Sequence, residues 1–292
     1  MDIEKNNCKI CKSKNLKSYV HTAKCTTCGV LLYYPYPDDD KTLLRKGKNK
    51  KWDNQKSDQE AVLIHYSRSS KNNHSLFTHA ISYLIDSDER YNPIKILDFG
   101  GGGGQFGLIC KSIYPMSEVF LTDINDNLLL DHNRSINTQI KQKDFEKSSI
   151  IFDYIFLNDV FEHVSDPKDT ISLLAKKLKR GGKIFIDTPR QFWLYPFTRI
   201  FFKKSIYKKL LFGTVSKNHL QIWTKNSFKM CIDNSILDLK KYDELSEYTM
   251  PPKYYTENMG ITNPILILLS HIFYTFSRFI AKNKILAVLE KK

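Results

Sequence analysis

Residues 96–110 read ILDFGGGGGQFGLIC and place five consecutive glycines, Gly100 to Gly104, directly after an apolar run. Five glycines lose more backbone entropy on folding than any other pentapeptide would. The residues upstream are apolar and partly β-branched, which predicts a strand, and those downstream have helical spacing. We therefore expect a strand-to-helix turn at which a ligand approaches the backbone too closely to leave room for side chains.

Strands and helices alternate along the chain after this turn. The runs VFLT, INTQI, YIFLN and KIFID predict four further strands, with helical segments among them. Such alternation predicts an α/β domain with a doubly wound, mostly parallel sheet, and ligands bind at the carboxyl ends of its strands. The polar residues expected at those ends are Asp98, Asp123, Asp144, Asn158 and Asp159. These positions predict a nucleoside-type ligand site.

Four of the six cysteines form two C-x-x-C pairs, Cys8 with Cys11 and Cys25 with Cys28. Two such pairs can present four thiolates to one tetrahedral ion, which predicts a zinc ribbon. Because four thiolates leave no open coordination position, the zinc would be structural. The ribbon either only folds the amino terminus or also docks a substrate or partner, and the sequence leaves both roles open.

The charge balance narrows the choice of partners. The 292 residues carry a formal net charge of +14, which favours nucleic acid, a phosphorylated substrate or an acidic membrane surface. The chain opens on polar and charged residues, and it has no uninterrupted apolar run of about 18 residues. We expect a cytoplasmic protein without a spanning helix, with the inner face of the membrane as an alternative location.

Taken together, the motifs resemble those of class I S-adenosylmethionine-dependent methyltransferases that carry an amino-terminal zinc ribbon. The resemblance rests on ILDFGGGGGQFG, TDIND, KDF, LNDVFEHVSDP and LKRGGKIFIDTP. It implies a seven-stranded Rossmann-like sheet, S-adenosylmethionine as the cofactor and a structural Zn²⁺ ion. It covers the ribbon and residues 94–190 closely and the remainder of the chain more loosely.

The resemblance also implies which residues bind the cofactor. They are Asp98, Phe99, Gly100, Gly102, Gly104, Asp123, Ile124, Asp144, Phe145, Asn158 and Asp159. Asp98 would orient the glycine turn and the amino group of the cofactor's methionine. Asp123 would accept hydrogen bonds from the ribose hydroxyls, with Ile124 against the adenine. Gly101 and Gly103 depart from the family, which tolerates larger residues at both positions.

The later motifs would complete the cofactor site. By the same resemblance, Asp144 and Phe145 would meet the adenine amino group and ring, and Asn158 and Asp159 would border the methionine moiety. A nicotinamide dehydrogenase also places an acid after its second strand. However, the EHV and LKRGG elements have no counterpart in dehydrogenases, so the resemblance favours a methyltransferase.

The catalytic residues are less clearly marked. Asp159, Glu162 and His163 would share one face if a helix begins after the fourth strand, and His163 is then the first candidate base. Alternatively, Glu162 complements the positive end of that helix and His163 packs beneath the cofactor. Resemblance to methyltransferases of ubiquinone biosynthesis offers a divalent ion on this D-x-x-E-H face instead. His219 is the second catalytic candidate, facing the acceptor or fixing a lid by hydrogen bonds.

Two later segments bear on the acceptor. Residues 188–232 contain nine Lys or Arg, no Asp or Glu and many aromatics, which suits a lid over an anionic acceptor, lipid headgroup or single-stranded nucleic acid. The NDVF motif argues against nucleic acid, since it lacks the Pro-Pro-aromatic and Pro-Cys motifs of base methyltransferases. Residues 264–282 predict an apolar helix that packs against the sheet or lies in a membrane interface, and we expect sheet packing. Residues 284–292 predict a final antiparallel strand.

We therefore expect a zinc ribbon at 1–37, a linker and helices at 38–90 and a methyltransferase domain at 91–292 with an inserted lid. Resemblance to ribbon-bearing relatives implies O-methylation of a sugar, glycoconjugate or other small-metabolite hydroxyl in polysaccharide synthesis. The alternatives are a lipid or quinone O-methyltransferase at the membrane surface and a non-catalytic adaptor that binds RNA.

Overall fold

The computed structural model describes residues 7–19, 22–34, 36, 58–190, 219–232, 236–246, 256 and 261–292. Within these ranges the chain forms two β-sheets and six α-helices. The smaller sheet is antiparallel and has the strand order β1-β2-β3-β9. Its strands are β1 (Leu16–Tyr19), β2 (Thr22–Cys25), β3 (Leu31–Tyr33) and β9 (Gln221–Ile222).

The larger sheet has seven strands in the order β10-β11-β8-β7-β4-β5-β6. They are β4 (Lys95–Phe99), β5 (Glu118–Thr122), β6 (Asn137–Gln139), β7 (Phe152–Asn158), β8 (Leu178–Pro189), β10 (Leu237–Leu245) and β11 (Lys284–Lys291). Strands β4 to β8 pair in parallel, whereas β11 runs antiparallel to both of its neighbours. The doubly wound, mostly parallel sheet and the antiparallel final strand are thus confirmed.

The helices begin and end where the local sequence favours it. They are α1 (Asp58–Leu84), α2 (Gln105–Ile113), α3 (Gln142–Phe145), α4 (Pro167–Lys176), α5 (Lys225–Ile232) and α6 (Pro264–Ile280). Helix α4 starts with proline at its first position, and the side chain of Asp166 caps it by accepting a hydrogen bond from the backbone N–H of Asp169. Among the described helices, none combines the length and the hydropathy needed to cross a membrane.

The two sheets share one hydrophobic core. Buried residues of the cysteine-rich segment, such as Val30, join the cluster that contains Ile155 and Leu157 of β7. Phe161 stacks on Trp223 with ring centroids 4.6 Å apart, directly beside this junction. Most buried apolar side chains of the predicted ribbon therefore belong to the core of the larger sheet, while Leu31 packs with Ile222 in a small cluster of its own.

Part of the predicted lid belongs to this shared unit. Residues 219–232 form β9 and α5, which pack against the cysteine-rich segment. Residues 191–218 lie outside the described residues, as does most of the predicted linker, residues 37–57. Of the predicted lid, the described part after Arg190 thus packs against the cysteine-rich segment, and the lid itself stays a prediction.

Helix α6 does not pack as expected. Its large apolar side chains point away from the sheet, with Phe279 81% and Ile265 68% exposed. The less exposed side chains of this helix are mostly polar, with Ile267 as the aliphatic exception, and Ser277 is buried. The prediction that this helix buries its apolar surface against the sheet was wrong.

Candidate functional site

The glycine turn joins β4 to α2 at the carboxyl edge of the larger sheet. Gly104 precedes α2 with φ of 81°, a left-handed conformation that glycine adopts at little cost. A Cβ atom on Gly100 would lie 2.5 Å from a methyl group of Val160, and one on Gly104 would lie 2.7 Å from Leu129. Backbone shape and close neighbours both require glycine here.

The two glycines that depart from the family pattern have specific neighbours. A Cβ atom on Gly101 would lie 2.4 Å from a carboxylate oxygen of Asp98. A Cβ atom on Gly103 would lie 2.6 Å from Val62 and 3.0 Å from Tyr66. Both of the latter residues belong to α1, so Gly103 lets this helix pack directly on the turn.

Two carboxylates flank the turn from adjacent strands. Asp98 is buried, and its burial together with the nearby charge of Asp123 raises its pKa to about 8, against a smaller lowering by Asn158. Within the described residues, its Oδ2 makes no hydrogen bond of normal length. Asp123 accepts hydrogen bonds from the backbone N–H groups of Gly102 and Asn125, each at 3.0 Å. A buried acid with an unpaired oxygen beside a bare backbone fits a ligand that brings a cationic group.

Helix α1 supplies a residue that the sequence reasoning missed. The hydroxyl of Tyr66 accepts a hydrogen bond from the backbone N–H of Gly103 at 3.2 Å. Burial raises the pKa of Tyr66 to about 12, and the charge of Asp98 contributes. Gln59 of the same helix donates to the carbonyl of Leu129 at 3.1 Å. No local signal marks Tyr66, because only the docking of α1 brings it to the turn.

The residues expected around the adenine differ in exposure. Ile124 follows β5 and is 44% exposed, which leaves it accessible to a ligand. Asp144 is also exposed, on the short helix α3. Phe145 is buried and packs on Phe99 with ring centroids 5.8 Å apart. The adenine contacts of these residues stay predictions, and that of Phe145 requires its ring to be uncovered.

The segment after β7 is a turn, which corrects the expected helix face. Asp159 has φ of 52°, a conformation that is uncommon for a residue with a side chain. The backbone N–H of His163 donates to the carbonyl of Val160 at 2.9 Å, and the next helix begins only at Pro167. Glu162 therefore cannot complement a helix amino terminus, and Asp159 does not line up with Glu162 and His163.

The turn nevertheless brings Glu162 and His163 together with His219. The buried Glu162 carboxylate accepts a hydrogen bond from the Thr188 hydroxyl at 2.9 Å and lies 3.6 Å from Nε2 of His163. The two imidazole rings meet edge to face with centroids 4.9 Å apart. One carboxylate oxygen and one nitrogen from each ring lie within 4.8 Å of one another. Burial raises the pKa of Glu162 well above its usual range, and the charge of Asp159 adds to this.

A buried lysine completes the polar cluster. The ammonium group of Lys284 lies 3.1 Å from Asp159 and 2.5 Å from Asp187. Burial alone would lower the pKa of Lys284, but these two carboxylates raise it above its usual range. The sequence analysis missed this lysine, which lies in the final strand, since only the pairing of β11 with β8 brings it to the cluster.

The smaller sheet holds the same region from the other side. Gln221 of β9 donates from its side-chain amide to the carbonyls of Phe161 at 2.7 Å and Val164 at 2.9 Å. The Tyr36 hydroxyl donates to the side-chain oxygen of Gln221 at 2.7 Å. The backbone N–H of Leu220 donates to the carbonyl of Glu162 at 2.7 Å. Strand β9, with Tyr36 behind it, thus supports the turn that carries Glu162 and His163.

The four paired cysteines converge, as the spacing predicted. The Sγ atoms of Cys8 and Cys28 are 3.7 Å apart, and those of Cys11 and Cys25 are 3.5 Å apart. A disulfide would require about 2.05 Å. With bonds of about 2.3 Å, the sulfurs of a tetrahedral zinc site lie about 3.8 Å apart. The donor set and spacing therefore fit a zinc ion. Cys110 and Cys231 are buried elsewhere.

Apart from Lys284, the carboxyl-edge residues described above fall in or near one family match. Residues 67–235, more than half of the 292, match the family described as a methyltransferase domain. The chain belongs to this methyltransferase family. The glycine turn, both flanking carboxylates, Glu162, His163 and His219 lie inside the matched range.

Two curated methyltransferases are similar in sequence to part of this chain. The ubiquinone biosynthesis O-methyltransferase of Coxiella burnetii (strain Dugway 5J108-111) is 34% identical over 112 residues, covering 35% of this chain and 47% of that protein. The mitochondrial ubiquinone biosynthesis O-methyltransferase of Dictyostelium discoideum is 25% identical over 171 residues, covering 48% and 53%. The methyltransferase chain described here therefore spans about half the length of the curated relatives it matches.

Solved methyltransferase structures share the fold. The plantazolicin methyltransferase BamL has a TM-score of 0.54 and 12% identity over 86% of this chain and 94% of that chain. The plantazolicin methyltransferase BpumL in complex with SAH has a TM-score of 0.52 and 15% identity, covering 87% and 93%. The cyclopropane synthase MmaA2 from Mycobacterium tuberculosis has a TM-score of 0.52 and 14% identity, covering 74% and 83%. The expected Rossmann-like methyltransferase fold is confirmed.

Proposed function

We propose that this methyltransferase uses S-adenosylmethionine to methylate a hydroxyl group. The observation that carries the proposal is the juxtaposition at one sheet edge of the glycine turn, its two carboxylates and the Glu162–His163–His219 cluster. The turn and carboxylates fit a nucleoside cofactor that also bears an ammonium group. The Glu162–His163–His219 cluster fits a group that accepts a proton from an acceptor bound next to that cofactor.

The cofactor half of the site consists of the glycine turn with Asp98 and Asp123, and the acceptor half consists of the Glu162–His163–His219 cluster with the neighbouring Lys284. In the cofactor half, Asp98 would hold the ammonium group of the methionine moiety, and Asp123 would hold the ribose hydroxyls. An ionised Asp98 would then gain the cationic partner that its Oδ2 lacks within the described residues. When bound, S-adenosylmethionine supplies a methyl group on a sulfonium sulfur, which is already a good leaving group. Alignment of the acceptor with that methyl would account for much of the rate enhancement.

In the acceptor half, His163 would take the proton of the acceptor hydroxyl as its oxygen bonds to the methyl carbon. The bound cofactor would supply the methyl group and keep the electron pair of the S–CH₃ bond on its sulfur. Glu162, held by Thr188, would orient the imidazole and stabilise its protonated form. His219 packs edge to face on His163 and would restrict the ring to this position.

The same three side chains also form a donor set for a divalent cation, as a second candidate role. The placement of His219 favours it, because His219 supplies the third ligand where Asp159 turns away to Lys284. Metal analysis separates the roles. A catalytic cation predicts a metal ion beyond that of the cysteine cluster, which the His163→Asn substitution removes.

For the acceptor, we favour a phenolic or quinone-type hydroxyl. Support comes from the curated relatives, which are named ubiquinone biosynthesis O-methyltransferases, although the match covers only half of each. The sugar, glycoconjugate or small-metabolite hydroxyl expected from the sequence stays a prediction. Labelled methyl transfer to sugars tests it, and a role in polysaccharide synthesis likewise stays a prediction.

The cysteine cluster would bind one structural Zn²⁺ through Cys8, Cys11, Cys25 and Cys28. The sulfur separations and the buried setting support this assignment. The role of the ion would be to fix the smaller sheet, and thereby β9, rather than to take part in methyl transfer.

Calorimetric titration tests the cofactor assignment directly. We expect saturable binding of S-adenosylmethionine and S-adenosylhomocysteine, and Asp123→Ala should weaken it about 10- to 100-fold, because charge-assisted hydrogen bonds to the ribose are lost. Asp88→Ala, on an exposed turn, is the matched control and should bind normally. Absence of cofactor binding to the wild-type protein would sink the proposal, whereas salt-sensitive RNA binding in its place would support the adaptor alternative.

A panel of acceptors tests the rest. Labelled methyl transfer should be measured with catechol- and hydroxyquinol-type phenols, with free sugars and nucleotide sugars, and with RNA as a further class. Transfer to phenols alone supports the favoured acceptor, and transfer to sugars alone would replace it by the glycoconjugate role.

A further inference from the structure

Helix α6 is amphipathic, but its apolar face points outward and its more polar face points inward. Its inner line carries the partly or fully buried Ile267, Ser270, His271, Tyr274 and Ser277, of which only Ile267 is aliphatic. Its outer face carries eight large apolar side chains that are 44% exposed or more. They are Ile265, Leu266, Leu268, Leu269, Ile272, Phe273, Phe276 and Phe279. A helix that faces water shows the opposite arrangement, with its apolar stripe inward.

The exposed apolar surface of α6 is larger than the patches usual on monomeric proteins. At roughly 200 Å² for a fully exposed large side chain, these fractions leave about 900 Å² of apolar surface. The largest apolar patch on a monomeric protein is typically about 300–600 Å², and larger patches mark interaction sites. The face therefore calls for an apolar partner.

The dimensions favour a helix that lies along a bilayer. Its 17 residues span about 25 Å, which is shorter than the hydrocarbon core of about 30 Å. The side chain of Asn263 caps the helix start by accepting hydrogen bonds from the backbone N–H groups of Ile265 and Leu266. The helix terminus can thus sit at a polar boundary without an unsatisfied donor at these positions.

Charge distinguishes a lipid surface from a second copy of the chain. From Asn258 to Leu289 the sequence contains no acidic residue, and apart from Lys284, which is buried and paired with two carboxylates, its charged residues are Arg278 and Lys282. The whole chain carries +14. Two such chains repel each other, whereas an anionic membrane surface attracts each one.

We propose that the outer face of α6 docks this protein onto an anionic lipid bilayer, with the helix axis lying in the interface. The helix ends at Ile280, and Lys284 of the acceptor cluster follows four residues later. Docking would therefore place the bilayer next to the carboxyl edge of the sheet. The proposal does not depend on methyl transfer, and its test uses no cofactor.

Vesicle flotation tests the docking surface. The probe is vesicles of about seven parts phosphatidylcholine to three parts phosphatidylglycerol, compared with pure phosphatidylcholine. The test variant combines Phe276→Glu with Phe279→Glu. The matched control combines Met116→Glu with Ile151→Glu, which adds the same charge at exposed apolar positions near the opposite edge of the sheet.

We expect the wild-type protein and the control to float with the anionic vesicles, and the α6 variant to lose about tenfold or more in partition coefficient. The neutral pair Phe276→Gln and Phe279→Gln should also bind less tightly, because apolar contact is lost without added charge. Circular dichroism and thermal unfolding establish that each variant is folded.

Three results would overturn the proposal. One is wild-type protein that stays unbound with anionic vesicles, and another is an α6 variant that floats as well as the control. The third is a concentration-dependent dimer, seen by light scattering, that the α6 variant abolishes. That result would assign the face to a second copy of the chain instead.

Discussion

The two halves of the carboxyl edge are built in different ways. The centre of the cofactor half comes from one stretch of about 30 residues, in which β4, the glycine turn and β5 carry Asp98 and Asp123, although Tyr66 of α1 also contacts the turn. The acceptor half takes His163 from the turn after β7, His219 from the segment before β9, and Lys284 from the last strand. A contiguous half tolerates changes elsewhere in the chain, whereas a dispersed half depends on every element that contributes to it.

The largest expected effect comes from removing the metal site, which should damage the acceptor half first. Cys25→Ser together with Cys28→Ser should reduce zinc from about one ion per chain to none and lower the free energy of unfolding by at least about 3 kcal/mol. The matched control is Thr27→Ala, an exposed position between the two cysteines. Elemental analysis and denaturant unfolding measure both effects. Normal methyl transfer by the zinc-free protein would show that the acceptor half does not depend on the cysteine cluster.

Next in size is the loss of the candidate base. His163→Asn should lower kcat about 10²- to 10⁴-fold, since a positioned acid–base group contributes that much. The Kd for S-adenosylhomocysteine should stay within about twofold, because the ring lies in the other half of the site. Glu162→Gln should shift the pH profile of kcat as well, which a purely structural role would not do. Equal losses in kcat and cofactor affinity would contradict the division into two halves.

The cofactor half should respond to pH through Asp98. Its pKa is about 8 in the cofactor-free protein, above the usual 3.8. Because the folded state disfavours the ionised form, the cofactor-free protein should lose stability as pH rises from about 4 to 8, and no further above that. Cofactor affinity should rise over the upper part of this window, by up to about tenfold per pH unit, because the ammonium group requires the ionised acid.

Thermal unfolding and calorimetry at several pH values measure these two trends. Asp98→Asn should flatten both, and the unfolding series remains informative even where the variant binds cofactor weakly. If wild type and variant show parallel slopes, Asp98 is not the group that titrates.

The smallest effect should come from the link between the two sheets. Gln221→Leu removes the side-chain hydrogen bonds to Tyr36, Phe161 and Val164. It should lower kcat about tenfold or less through displacement of His163, with cofactor affinity unchanged. Tyr36→Phe, which removes only one of these bonds, should show a smaller loss in the same assay. A Gln221 variant with normal kcat would mean that the smaller sheet does not position the turn.

The sequence predicted the strand, glycine turn and helix of the cofactor half, because strand period, glycine run and following acids occur together within it. The cofactor contacts of these residues stay predictions. The convergence of the four paired cysteines was also predicted, since the spacing of the two C-x-x-C pairs indicates which thiols can meet. Gly101 and Gly103 could not be explained before the structure. Their neighbours Asp98, Val62 and Tyr66 are set by how side chains fold over the turn.

The acceptor half was harder to predict for a physical reason. Helical spacing wrongly aligned Asp159 with Glu162 and His163, because a positive φ at Asp159 is not encoded in the hydrophobic pattern. Lys284 was missed because its partners lie about 100 residues or more earlier in the sequence. Periodicity identified α6 as apolar but could not tell whether its face points inward, since a packed helix and an interfacial helix share that pattern.

Strand β9 has a consequence for the timing of folding. It pairs Gln221 and Ile222 with residues near position 31, so the smaller sheet closes across almost 190 residues of chain. On a ribosome, the cysteines emerge long before β9, and a metal can be captured while the sheet still lacks its fourth strand. The nascent chain could therefore bind a metal early, whereas the pairing that brings His219 beside His163 has to wait until β9 has been made.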